Sequence, residues 1–203
     1  MTTLVTSASP FVAALGQDLD GAAPVVRQHL ALSERRALHV GSIRRSWSRG
    51  IAGWVAARVL KLVSDRPIEA RFELRNELLE DEQGIAMLWH RTHYAGTKLV
   101  SGVGVLRWDP ARSVLIDSIG KGTWLEVELI ATVEQQAVVM SSRRYWLRLG
   151  RLRIRLPHVL FGTARTREWE EPDGRLGLSL TLHHPLLGPY AGYEAVLSPG
   201  ETQ

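Results

Sequence analysis

From Ile68 the chain alternates residue by residue between apolar and charged side chains: Ile68, Ala70, Phe72 and Leu74 on one side, Glu69, Arg71, Glu73, Arg75 and Glu77 on the other. A period of two does not suit a helix; it describes a strand with one dry face and one wet face. The pattern recurs in later segments, so the expected architecture is a curved antiparallel sheet enclosing an apolar space. What occupies that space becomes the functional question.

The expected strands are Arg36–Trp47, Ile68–Leu79, Ile85–Tyr94, Leu99–Trp108, Ser113–Ile119, Trp124–Val133, Ala137–Leu147, Leu152–Leu156, Thr163–Trp169, Leu176–Leu182 and Tyr190–Leu197. Between them lie turn-forming groups such as Glu82-Gln83-Gly84, Asp109-Pro110, Gly120-Lys121-Gly122 and Pro172-Asp173-Gly174. Helices are few. Ser9-Pro10 reads as an N-cap and first helical residue, with Gly16 ending a short helix, and a second is expected from about Pro24 to Leu30. In Ile51–Ser64 the apolar residues Ile51, Trp54, Val55, Val59 and Leu62 recur at three and four, which predicts an amphipathic helix packed on the sheet by that face. Strands that do not alternate with helices exclude a parallel doubly wound sheet. The predicted fold is therefore mainly β (α+β), an antiparallel β-barrel or strongly curved half-barrel. One domain spanning residues 1–203 is expected, with Met1–Ala8 loose.

Composition removes several kinds of chemistry. Without cysteine there is no disulfide framework, thiolate nucleophile or cysteine-bound metal. No secretory leader and no apolar run of membrane-spanning length stands out, so a cytoplasmic protein is expected. A net charge of +4 invites a nucleic-acid reading through Arg143, Arg144, Arg148, Arg151, Arg153 and Arg155. Because Arg151, Arg153 and Arg155 alternate with Leu152, Ile154 and Leu156, they read instead as the wet face of one strand, and no nucleic-acid partner is expected.

Three short blocks carry a family likeness: Trp89-His90-Arg91 leading to Ser101, Ile116-Asp117-Ser118-Ile119-Gly120, and Pro185-Leu186-Leu187-Gly188 leading to Tyr193. With Pro10-Phe11 and Leu15-Gly16 near the start, the chain resembles the bacterial domain of unknown function numbered 4166 over nearly its whole length. It departs from that pattern at Asp117, where glutamate is usual, at Ala195, where glycine is usual, and at His93, where an aromatic is more usual. The resemblance implies one domain and supplies no mechanism.

Tested against known chemistries, the residues leave little. His90 and His93, or His183 and His184, would point to opposite faces of a regular strand, so no metal site is expected. No G-x-S-x-G, G-x-G-x-x-G or phosphate loop occurs, which leaves no serine-hydrolase or nucleotide role and no expected cofactor. Gly102-Val103-Gly104 reads as a bend in a strand. The strand carrying Met87, Trp89, Arg91 and His93 on one face is the exception, because an apolar surface there ends in a cation and an imidazole that could grip an anionic or enolic oxygen. The alternative is that Arg91 pairs with a buried carboxylate, Asp117 or Glu126. If Trp124 faces inward, Glu126 becomes an interior acid or base.

The expected catalytic residues are accordingly Arg91, His93 and Glu126, and the expected substrate-binding residues Phe72, Met87, Trp89, Trp124, Tyr145 and Tyr193. They point to a cofactor-independent barrel that binds a hydrophobic small molecule and promotes cyclisation or isomerisation of a polyketide-like substrate by positioning it. Two alternatives stay open, a carrier or sensor of a lipid-like ligand and an interaction domain with a filled barrel; a homodimer is compatible with each.

Overall fold

Strands form where the alternation falls: β1 (Arg36–Ser48), β2 (Arg71–Asp81), β3 (Gly84–Ala95), β4 (Lys98–Asp109), β5 (Val114–Ile119), β6 (Leu125–Glu134), β7 (Ala137–Leu149), β8 (Leu152–Leu156), β9 (Thr163–Glu170), β10 (Leu176–His184) and β11 (Gly188–Pro199). The structure is a computed structural model and describes residues 8–59, 71–95, 98–120, 124–150 and 152–200. The expectations for Met1–Thr6 and Ser7, for the helix beyond Val59 and for the strand start at Ile68 lie outside the described residues, as do Lys121-Gly122 and Arg151.

The strand order β6-β5-β4-β3-β2-β1-β11-β10-β9-β7 is closed by pairing of β6 with β7, giving a ten-stranded antiparallel barrel with β8 added at the edge of β7. The sheet is closed, so of the two expected forms the barrel is the one present. Closure removes the free edges that a half-barrel would expose. One seam is looser than the rest, because β7 divides its second edge. Val138–Ser141 pair with β9, whereas Tyr145–Leu149 pair with β8. Where the wall parts, side chains replace the ladder: the Ala164 N–H donates to Ser142 Oγ (2.8 Å) and Tyr145 Oη (3.1 Å).

Cross-strand register fixes which side chains are enclosed, since directly opposed residues share a face. Phe72, Leu74, Asn76 and Leu78 of β2 oppose His93, Arg91, Trp89 and Met87 of β3, and the series continues through Gly104 and Leu106 of β4 to Ile119 and Asp117 of β5. Leu125 and Val127 of β6 then meet Leu147 and Tyr145 of β7.

The two ends differ. One is plugged by α1 (Pro10–Leu15), a 3-10 turn (Gly16–Gly21) and α2 (Pro24–Ala31). Ser9 Oγ accepts from the Val12 N–H at 3.3 Å, with Pro10 in the first turn, as the sequence predicts. Phe11, Val26 and Leu30 are fully buried, each worth about 1.5–3 kcal/mol relative to an exposed side chain. The other end, the mouth, is crossed by α3 (Gly50–Val59) and edged by α4 (His158–Phe161), a short turn that periodicity does not signal.

The packing of α3 corrects the sequence reading. Gly53 and Ala57 are buried and Ala52 and Ala56 half-buried, whereas Ile51 is 84 % exposed, Trp54 57 % and Val55 45 %. The spacing identified two faces, but the smaller one lies against the barrel because the helix seats on backbone: a Cβ at Gly53 would fall 2.5 Å from the Tyr190 carbonyl oxygen. Val59 and Leu62 lie where no side chain is described.

Candidate active site

Two adjoining cavities occupy the mouth half of the barrel. The outer one, about 260 Å³, is bounded by Ala52, Val55 and Ala56 of α3, Phe161 of α4, and Tyr145 and Tyr190. The inner one, about 70 Å³, is walled by Leu106, Met140, Leu178 and Leu180 and also carries Trp89, Arg91, Asp117 and Tyr193. Ile119, Val127, Ala164 and Leu182 line both, so an apolar chamber leads to a polar end.

The hydroxyls of the outer chamber have partners. Tyr190 Oη donates to the Phe161 carbonyl at 2.8 Å and Tyr145 Oη to Ser142 Oγ at 2.9 Å. Burial pushes the Tyr190 hydroxyl up to about 12, with the neighbouring Tyr145 adding to it, so it stays protonated. His184 Nε2 donates to the Val159 carbonyl at 2.6 Å while its Nδ1 accepts from the Leu186 N–H at 3.2 Å, tying the β10–β11 turn to α4.

The polar end of the inner chamber is different, because it holds unpartnered atoms. Asp117 Oδ1 and Trp89 Nε1 are buried and make no hydrogen bond to the protein. Burial raises the Asp117 carboxyl to about 6, partly offset by the Arg91 charge. For Arg91, burial acts to lower the pKa, but the Tyr193 and Asp117 interactions, including a hydrogen bond with Tyr193, outweigh it and the guanidinium stays charged. Arg91 and Asp117 form no direct ion pair within 4.0 Å among the described residues, and both line the inner cavity. Gly104 makes the space for this carboxylate, since a Cβ there would lie 2.7 Å from Asp117 Oδ1. The glycine therefore has a site-shaping role beyond the strand bend read from sequence.

The expected site residues divide three ways. Trp89, Arg91 and Tyr193 line the inner cavity and Tyr145 the outer one. Phe72, Met87 and His93 also face inward but are buried in packing and line neither cavity. His93 stacks on Phe72 with ring centroids 4.7 Å apart, and burial, reinforced by Arg91, lowers its pKa to about 4, so it is neutral at physiological pH.

The interior placement of Glu126 and Trp124 is corrected. Leu125 and Val127 oppose the inward Ile119 and Asp117, which turns Glu126 to the outer face; Trp124 is 44 % exposed. There Glu126 binds Arg148 Nη1 at 3.2 Å and Arg153 Nε at 2.9 Å. Glu128 beside it accepts from Trp146 Nε1 at 2.9 Å, with Arg112, Arg144 and Arg153 within 3.7 Å. Much of the arginine cluster thus neutralises two buried glutamates and holds the β7–β8 hairpin to β6.

A second polar cluster lies under the plugged end. Asn76 Nδ2 donates to His29 Nε2 at 3.1 Å, the His29 and His39 rings meet edge to face at 4.5 Å, and the Glu168 carboxyl is 3.7 Å from His29. Burial drives both partners of the His29–Glu168 pair towards neutrality, His29 downward and Glu168 up to about 8. No group of three or more His, Asp or Glu among the described residues is arranged to hold a metal ion.

Asp117, considered from sequence as a partner for Arg91, is the cavity-lining carboxylate that periodicity did not single out. Its signal was its register: Ile119, Asp117 and Leu115 share one face. Compared with known families, the chain matches the family model for the domain of unknown function DUF4166 over residues 23–197. No curated protein matches it.

Proposed function

The chain belongs to the DUF4166 family, a domain of unknown function, and we propose that its barrel binds a hydrophobic small molecule bearing one carbonyl or enolic oxygen and promotes its isomerisation or ring closure without a cofactor. The observation that carries this reading is the unpartnered Asp117 Oδ1 facing Arg91 at the end of an otherwise apolar chamber. Apolar cavities with a few convergent polar groups are the usual form of a small-molecule site, and about 300–1,000 Å³ is their common range. A chamber of about 260 Å³ with a 70 Å³ annex suits a compact ligand.

The chemistry follows from the two charges. A substrate oxygen beside Arg91 places the adjacent C–H near the Asp117 carboxylate. Asp117 takes the proton, the C–H electron pair moves into a carbon–carbon double bond, and the negative charge collects on the oxygen, where Arg91 stabilises it. Returning the proton to another carbon gives an isomer; alternatively the enolate carbon attacks a second carbonyl carbon of the same folded chain, the C=O electron pair moves onto its oxygen, and that oxygen takes the proton back from Asp117, which closes a ring. Positioning within the apolar walls supplies the entropy part of the barrier.

Two probes test this. The apolar anion 1-anilinonaphthalene-8-sulfonate should bind the parental protein, about tenfold or more weakly in Arg91→Ala, and not in Ala164→Trp, which fills the junction of the cavities. The enolisable ketone 2-tetralone should exchange its α-protons with deuterated water, with a rate that rises through pH 6 as Asp117 ionises and falls about 100-fold or more in Asp117→Asn. Exchange at the parental rate in Asp117→Asn removes the catalytic reading and leaves the carrier. Dye binding unaffected by Ala164→Trp removes the chamber as the site.

A further inference from the structure

We infer that the mouth of the barrel is a docking surface for an anionic lipid bilayer, with α3 and the β7–β8 hairpin as its contact elements. Every large apolar side chain exposed among the described residues lies at this end of the barrel, except Leu79 and Ile130. On α3, Ile51 and Trp54 point away from the barrel because the alanine face is the one that seats, while Val55, half exposed, stands at the rim of the outer cavity. Such a helix gives up core contacts and exposes the side chains best able to enter a lipid interface. Tryptophan is suited to that depth through its apolar body and polar edge.

The hairpin adds a second apolar element. Leu149 opposes Leu152, and Leu147 opposes Ile154, on the face that continues the barrel interior past the point where β9 departs. Leu149, Leu152 and Ile154 are 54 %, 58 % and 40 % exposed, so this inner face extends the rim as an uncovered apolar flap. The β10–β11 turn contributes Leu186, 82 % exposed. Apolar patches gathered around an opening, rather than scattered singly, mark an interaction surface.

Charge identifies the occupant. Arg49, Arg58 and Arg155 are exposed at the same end and form no ion pair among the described residues. The plugged end is different in sign: Glu77, Asp81, Glu134 and Asp173 pair with Arg36, Arg107, Arg165 and Arg175, and Glu34, Glu80 and Glu82 are exposed acids with no ion pair among the described residues. A rim that combines protruding aliphatic and indole groups with unmatched guanidinium groups complements a surface with an apolar interior and negative headgroups. No helix among the described residues is long and apolar enough to cross a membrane, and the outer face of β2 carries Arg71, Glu73 and Arg75 where a spanning barrel needs an apolar band, so the contact proposed is peripheral. Seated this way, the mouth opens onto lipid, and an apolar ligand could enter the outer cavity without crossing water.

The test is vesicle co-sedimentation of the full chain, with phosphatidylcholine alone and with roughly a third phosphatidylglycerol, at low and high salt. The parental protein should partition at least tenfold better onto the anionic vesicles, and less at high salt. Ile51→Ser/Trp54→Ser should lose about tenfold or more of this partition, and Arg49→Glu/Arg58→Glu should lose the anionic preference; unchanged melting temperatures would show that both fold. Because none of these substitutions removes Arg91 or Asp117, tetralone exchange should persist in them, separating failure here from failure of the chamber reading. A parental protein that stays in the supernatant, or partition that neither variant reduces, overturns the proposal. So does sedimentation of the free protein as a stable dimer that Ile51→Ser/Trp54→Ser dissociates, which would assign the rim to a second copy.

Discussion

At the scale of single residues, the interior keeps ionisable groups in two places, in two different states. Asp117 retains an open acceptor beside Arg91, facing a cavity, whereas Glu168 is enclosed beneath α2 with neither oxygen hydrogen-bonded to the protein. Burial holds the Glu168 carboxyl up at about 8 against an ordinary 4.5. Its folded-state pKa is raised, so its contribution to stability is complete below about pH 4.5, is lost progressively as pH rises towards 8, and levels off above that. His29 and His39 are shifted the other way by burial, and they withdraw stability as pH falls below 6.5. Denaturant titrations of the parental protein and Glu168→Gln across this range isolate the carboxyl: the variant should gain on the parent steadily from pH 5 to 8. A stability difference that does not vary with pH would mean Glu168 is not held neutral by burial. From the sequence, Trp89 and Arg91 could be placed on the inward face because a period of two along one strand leaves little freedom once Met87 is assigned inward. Trp124 and Glu126 could not, since both faces of β6 offer bulky side chains and only the pairing with Ile119 and Asp117 decides between them.

At the scale of elements, the strands were legible almost to their ends because alternation and turn chemistry agree, as at Gly84 and Gly174, whose φ of 99° and 78° suit glycine in the turns. The orientation of α3 was not legible. Hydrophobic periodicity describes a helix by itself, and nothing within Gly50–Val59 reveals that the approaching surface is backbone requiring glycine and alanine. Gly53→Ala tests this seat: at an open helical position the change would add about 1 kcal/mol of stability, but here the Cβ meets the Tyr190 carbonyl and should cost about 1–3 kcal/mol. Hydrogen exchange should become faster across α3 in the same variant. A stabilised protein would mean that α3 does not seat on the barrel at Gly53. The short α4 escaped prediction for a different reason, having four residues and no hydrophobic period to read.

At the scale of the molecule, closure of the β6–β7 seam turns the sheet into a container, with a plug of short helices at one end and a chamber at the other. The polar end of that chamber lies inside the barrel and not at its rim, so a ligand must be largely enveloped before its oxygen reaches Arg91. This arrangement predicts an occupied chamber more directly than it predicts any one reaction. The decisive measurement is native mass spectrometry of protein purified without detergent, joined to titration with 1-anilinonaphthalene-8-sulfonate. A bound apolar molecule that solvent extraction releases and Ala164→Trp excludes, or an empty protein that binds the dye inside and loses it in that variant, is the predicted result. A bare protein that leaves the dye dark would contradict the account and make the barrel a filled scaffold.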